Sequence, residues 1–186
     1  MFLAGVVVEL TSRCAGNRSG KRCSMTNQEI LSICYDLARL STCVKAKFGS
    51  VVVSDGEIVG HGWNGSPNSL YTDCQTLCVG GIRKGIPSGT CLEKCYATHA
   101  EQWAILEAGN RSKGAVVYVA GFVSGDKSLK DISFPIGNIR RGFYCSFCSR
   151  IMWAAGIVKV VCDSIDGPLT QTIQEAWDTS FAVASR

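Results

Sequence analysis

"CSRIMWAAGIVKVVC", residues 148–162, reads as a helix that is stopped by Gly156 and hands on to a strand, "IVKVVC", rich in β-branched residues. Further upstream, "AVVYVAGF" (115–122) has the composition of another strand. Before it, Thr98 to Glu107 reads as a helix opened by a Thr-x-x-Glu pair. Strands therefore alternate with helices, which points to a single α/β layer structure in which a sheet is flanked by helices.

The segments further out fit that frame. In "TNQEILSICYDLARLS" (26–41), Thr26 and Glu29 form a capping-box pair. Ile30, Ile33, Cys34, Leu37 and Leu40 then recur at helical spacing. "GSVVVSDGEIVGHGWNG" (49–65) contains two β-type runs joined at Asp55-Gly56, a pair suited to a tight hairpin. At the C-terminal end, "GPLTQTIQEAWDTS" (167–180) carries Pro168 where a first helical turn accepts it, and "FAVAS" (181–185) reads as a short last strand.

The 186 residues suit one domain with a sizeable core, and a hydrophobic content of 46% without repeats or low-complexity tracts argues for a folded globular chain. The net charge of +4 is concentrated at the start: residues 1–24 hold four Lys/Arg against one acid, leaving fifteen against fourteen in the rest. A body so nearly neutral shows no basic stripe of the kind that grips nucleic acid. The opening "MFLAGVVVEL" lacks a positive leader, is interrupted by Glu9 and is too short to span a bilayer, so neither a signal peptide nor a membrane helix is expected. Residues 1–24 are expected to form an N-terminal extension to a domain at 25–186, with Met25 an alternative start. Eleven cysteines cannot all pair, and without an export signal a reducing cytoplasm would keep them as thiols. Metal binding is the better use for them.

Four residues stand out chemically. In "THAEQWAIL" (98–106), His99 and Glu101 lie two positions apart at a helix start; in "YCSFC" (144–148), Cys145 and Cys148 are at i and i+3 where another helix begins. Helix N-terminal amides favour thiolates. One imidazole and two thiolates are three ligands for a tetrahedral zinc, with the fourth position left for water, the ligand count of a catalytic site. Zinc makes hydroxide available near neutral pH. A carboxylate is then needed to move protons, and Glu101 is placed for it. Taken singly, a histidine at a helix start is commonly a polar cap, and a C-x-x-C pair is commonly structural zinc or buried thiols. It is their order and spacing together that favour the catalytic reading.

The stretch 64–97 is loop-like and carries Cys74, Cys78, Cys91 and Cys95. A loop of that length in a compact domain is functional or is held by something. The C-x3-C…C-x3-C spacing allows a second, closed zinc site, in which Cys43 is an alternative ligand; free or buried thiols are the other reading.

With "STCVKAKFGSVVVSDGEIVGHGWNGSP" (41–67), "GIPSG" (85–89), "HAEQWAILEAG" (99–109) and "YCSFCSRIMWAAGIVKVV" (144–161) in this order, the chain resembles the deoxycytidylate (dCMP) deaminase family of the cytidine deaminase superfold. The likeness runs from about residue 26 to 162, and His-x-Glu…Cys-x-x-Cys is the mark of zinc deaminases. It implies a three-layer fold with a five-stranded mixed sheet, and hydrolytic deamination of dCMP to dUMP. In that reaction His99, Cys145 and Cys148 hold zinc and Glu101 shuttles protons. It further implies substrate contacts at Asn64, which meets the sugar, and at Ala100 and Tyr144, a homo-oligomer, and regulation by dCTP and dTTP. A second zinc in the cysteine loop is also a feature of family members. The alternatives are deamination of another or a modified cytosine nucleotide or nucleoside, a polynucleotide deaminase acting on tRNA or single-stranded DNA, and a zinc-stabilised module without catalysis.

Three positions depart from the family pattern. Tyr144 stands where proline precedes the first metal cysteine, and Trp103 replaces an asparagine, either filling core or reshaping the base pocket. Residues 121–142 look like an insertion whose Lys127, Lys130, Arg140 and Arg141 either meet a phosphate or form a solvated loop face.

Overall fold

The structure, a computed structural model, describes residues 25–67, 84–86, 91–123, 134–135, 145–164 and 166–184. In chain order it runs α1 (Asn27–Arg39), β1 (Ala46–Ser54), β2 (Glu57–Trp63), a 3₁₀ turn (Leu92–Lys94), α2 (Ala100–Ala108), a second 3₁₀ turn (Gly109–Ser112), β3 (Val116–Val123), β4 (Phe134–Pro135), α3 (Ser146–Ala154), β5 (Lys159–Cys162), β6 (Leu169–Thr172) and α4 (Ile173–Ala184).

The sheet order is β2-β1-β3-β5-β6, with β4 paired to β3. Only β3 and β5 run parallel; the other pairs are antiparallel. A parallel neighbour requires the chain to cross back over the sheet, and α3 lies on that crossing. The mixed α/β sheet is thus as expected, but it has one strand more than the family resemblance implied. Residues 134–135 return from the inserted segment to pair with Phe122 and Val123, beyond the reach of the shorter β5.

Strand alternation divides the core in two. Val52, Val117, Val119 and Val160 point to one face and are covered by Ala104, Ile105 and Ala108 of α2, Cys148 and Met152 of α3, and Ala176 of α4. Their neighbours Val51, Tyr118, Ala120 and Val161 point to the other and are covered by Ile30, Leu31, Cys34 and Leu37 of α1. The result is three layers. Leu31 is fully buried, and a side chain of that size contributes on the order of 2 kcal/mol by leaving water.

Local signals act where the sequence placed them at three points. Thr26 and Glu29 exchange both capping-box bonds at α1. Asp55 and Gly56 both take positive φ in the β1–β2 turn. Gly156 follows α3 with φ +77°.

Two expectations at the C-terminal end fail. Leu169–Thr172 is a strand on β5, and the helix starts only at Ile173, capped by Thr172 and Glu175 rather than opened by Pro168. The residues 181–184, read as a last strand, continue that helix. Short apolar runs carry no periodicity that separates the two states.

The layer that matters for the site is α2 on β2. A Cβ on Gly60 would lie 2.2 Å from the Ala104 carbonyl, and one on Gly62 2.5 Å from the Trp103 Cβ. Two glycines on one face of β2 therefore let α2 lie directly against the strand. Trp103 is half-buried, with its Cβ against Gly62 of β2.

Candidate active site

The N-termini of α2 and α3 bring the site together. His99 is the N-cap of α2 (φ −74°, ψ 155°), and Cys145 is the N-cap of α3, its sulfur accepting the Cys148 N–H at 3.5 Å. The helix start expected at Thr98 and Glu101 is displaced by one residue: the side chain that closes it is Gln102, whose Oε1 accepts the His99 N–H at 2.9 Å. Thr98 instead bridges to Gly65 by two backbone hydrogen bonds, its N–H donating at 2.9 Å and its carbonyl accepting at 3.1 Å. Glu101 is released from capping.

His99 Nδ1 lies 3.1 Å from Cys148 Sγ and 3.4 Å from Cys145 Sγ, and the two sulfurs are 3.2 Å apart. Among the described residues this is the one convergence of three or more metal-ligating side chains. Donors around a tetrahedral zinc stand roughly 3.5–3.8 Å apart, so a spreading of a few tenths of an ångström separates these atoms from a coordinating set. The donor chemistry, one imidazole and two sulfurs, is that of zinc.

The electrostatics have the same sense. A hydrogen bond from Cys148 and the adjacent His99 outweigh burial and lower the Cys145 pKa to about 4, which favours its thiolate form. Burial, then its bond to Cys145, raises Cys148. Burial opposes charge on His99, but Cys145 and Glu101 prevail and raise it to about 9. Without a cation the cluster neutralises its own thiolate with a proton on the imidazole. A divalent metal held by His99, Cys145 and Cys148 would take the place of those protons.

Glu101 is 5% exposed in the first turn of α2. Burial, reinforced by the Cys145 charge, raises its pKa to about 6. A carboxyl tuned towards neutrality can both accept and return a proton.

The other expected site residues fall in different places. Asn64 is buried at the end of β2, its Oδ1 accepting the Phe48 N–H at 2.7 Å and its Nδ2 donating to the Ala46 carbonyl at 2.8 Å. The Asn64 carbonyl accepts from Ser41 Oγ at 2.6 Å. It is a clamp between β1 and the loop that bridges to Thr98, with one amide hydrogen beyond these bonds. Ala100 is fully buried at the first position of α2, where its backbone N–H has no preceding helical carbonyl. Tyr144, Cys74 and Cys78 lie outside the described residues, as do residues 1–24 and Lys127, Lys130, Arg140 and Arg141. Cys91 is exposed with φ +47°, and Cys95 is half-buried; neither belongs to a convergent ligand group among the described residues. Gln102 and Ser41 were not singled out from sequence. The Gln three positions after His99 was the available signal, masked by the overlapping Thr98/Glu101 pair.

No described helix is long and apolar enough to cross a membrane. Among known proteins, residues 24–164 match the family model described as the cytidine and deoxycytidylate deaminase zinc-binding region. Deoxycytidylate deaminase of Mycobacterium phage D29 is 29% identical over 140 residues, covering 73% of this chain and 91% of that protein. Deoxycytidylate deaminase of Schizosaccharomyces pombe is 34% identical over 86 residues, so the chain spans about a quarter (26%) of that relative's length. The crystal structure of dCMP deaminase from cyanophage S-TIM5 in complex with dCMP and dUMP superimposes with a TM-score of 0.51 at 21% identity, over 84% of this chain and 90% of that one, which is a likeness of fold. The match over most of the chain, with its zinc donors converging at two helix ends, makes this protein a member of the cytidine and deoxycytidylate deaminase family.

Proposed function

We propose that the protein is a zinc-dependent hydrolase that converts dCMP and water to dUMP and ammonia. The observation that carries this reading is the convergence of His99, Cys145 and Cys148 beside a buried Glu101 whose pKa is raised. Zinc held by the three donors supplies Lewis acidity, which makes water a nucleophile at neutral pH.

The rest falls to the chain's own groups. Glu101 accepts a proton as water adds to C4 of the cytosine and returns it to the departing amine, so that the carboxylate is regenerated in each cycle. The Ala100 N–H at the helix start is a donor for a base oxygen, and the remaining Asn64 amide hydrogen is one for the sugar. Tyr144, by resemblance to the family, offers a backbone carbonyl to the leaving amine. A carboxylate kept solely for structure would gain nothing from burial beside two sulfurs, which is the argument against a non-catalytic zinc module.

The choice of dCMP leans on the relatives' names and the motif order. A homo-oligomeric state, regulation by dCTP and dTTP, a second zinc in the cysteine loop and a cytoplasmic location accompany the reading by family likeness. The test is ammonia release from dCMP by purified, zinc-loaded protein beside Glu101→Gln. Turnover that collapses in the variant supports the assignment. No turnover from protein shown to hold zinc would overturn dCMP as substrate and direct the assay to other cytosine nucleotides, then to oligonucleotides.

A further inference from the structure

We infer that Gln102 is a positioning residue for the metal centre, acting by locking the backbone of the ligand His99. The proposal rests on the metal-site reading and is tested by metal binding itself, so its failure is distinguishable from failure of the deaminase assignment.

A ligand side chain is only as well placed as its own backbone. Around His99 that backbone is tied at consecutive groups. Both peptide groups of Thr98 are bonded to Gly65, the His99 carbonyl accepts the Trp103 N–H at 3.2 Å, and the His99 N–H donates to Gln102 Oε1 at 2.9 Å. Gln102 is the side chain in this set, and hence the part of the lock that substitution removes while leaving the backbone bonds intact.

The need for it follows from what the N-cap residue is doing. At α1 and α4 the N-cap side chains, Thr26 and Thr172, accept a backbone N–H from the first turn, and Glu29 and Glu175 return a bond to the cap. At α2 the N-cap side chain is an imidazole turned to two sulfurs, a use that competes with capping. The reciprocal bond from Gln102 therefore has a double duty: it satisfies an otherwise orphaned donor and holds the φ of His99. The acceptor here is also neutral, whereas α1 and α4 use glutamate. One residue after Glu101 and three after His99, an amide supplies the bond without adding a second negative charge beside the site.

The experiment measures zinc affinity of the purified full chain by chelator competition, and the visible absorption of the cobalt(II)-substituted protein, for three variants. Gln102→Met keeps length but replaces the amide oxygen by a thioether that is only a weak acceptor; Gln102→Glu keeps an oxygen acceptor; Glu29→Met removes the same kind of bond at the remote α1. Gln102→Met is expected to bind zinc about 10-fold more weakly, in the range for groups that orient metal ligands, and to shift the cobalt bands. Gln102→Glu is expected to restore affinity, and Glu29→Met to lower thermal stability with zinc affinity unchanged. Wild-type affinity in Gln102→Met, or an equal loss in Gln102→Met and Glu29→Met, would overturn the proposal. Should Gln102→Met not fold, hydrogen exchange of the His99 amide in the wild-type protein decides: protection supports the bond, and exchange as fast as an open loop overturns it.

Discussion

His99 Nδ1 and Cys148 Sγ stand 3.1 Å apart although 49 residues separate them in the chain. Each sits at the start of a helix, and the two helices meet because both pack on one face of the sheet. The fold therefore makes the metal centre a tertiary object whose loss has consequences beyond chemistry.

Removing one donor tests this. His99→Ala and Cys148→Ser are each expected to lose zinc, measured by elemental analysis, with activity falling by at least about 1,000-fold, as when an essential group is removed from a catalytic unit. Cys148 is fully buried in the core, so its replacement by serine also lowers the midpoint of urea unfolding, whereas that of the part-exposed Cys145 lowers it less.

Glu101→Gln should separate metal binding from catalysis. Zinc content stays at wild-type level while turnover drops by roughly 100- to 10,000-fold, the range for a positioned acid-base group. The variant also reports on pH. With a folded pKa of about 6 against an ordinary value of 4.5, ionised Glu101 destabilises the metal-free fold, and this cost appears as pH rises from 4.5 through 6. Urea titrations of metal-free protein should show Glu101→Gln gaining on wild type by roughly 2 kcal/mol between pH 4 and pH 8.

The glycines of β2 provide a packing test remote from the donors. Gly60→Ala places a methyl 2.2 Å from a backbone carbonyl of α2, so the helix must shift, at a cost of about 1–3 kcal/mol. Because His99 and Glu101 ride on that helix, activity falls with stability. Gly56→Ala, in the open β1–β2 turn at φ +82°, is expected to cost about 1 kcal/mol and leave activity unchanged. Parallel denaturation and turnover measurements check both.

Asn64→Ala leaves the Phe48 N–H and the Ala46 carbonyl without their side-chain partner. A loss of about 1–2 kcal/mol follows from leaving two part-buried groups unmet. If its remaining amide hydrogen also serves the substrate sugar, the KM for dCMP rises as well; a KM unchanged in folded Asn64→Ala would confine the residue to its structural role.

Much of the site was legible because its ingredients are local. His99 and Glu101 share one turn, and Cys145 and Cys148 another, so residue type and spacing expose both halves. Where two local patterns overlap, spacing alone does not choose between them: Thr98-x-x-Glu101 has the capping-box pattern, and Gln102 stands at the same spacing from His99. Thr98 is claimed by Gly65, a partner more than thirty residues away, and the helix start moves to His99. Asn64 enters from the family resemblance as a sugar contact, yet both polar groups of its side chain go to β1. The strand at Leu169–Thr172 likewise owes its existence to β5 beside it.

By itself the sequence determined the layer class, the existence of the main helices and the hairpin, and the identity of the four chemical residues. These depend on periodicity, capping and turn chemistry, which act over a few residues. The tertiary structure alone decided that the two helix ends converge, that Glu101 is buried and its pKa raised, and that Asn64 and Gln102 hold backbone in place. Convergence, desolvation and the partner of a buried polar group are set by segments distant in the chain, because only packing brings them within hydrogen-bond range.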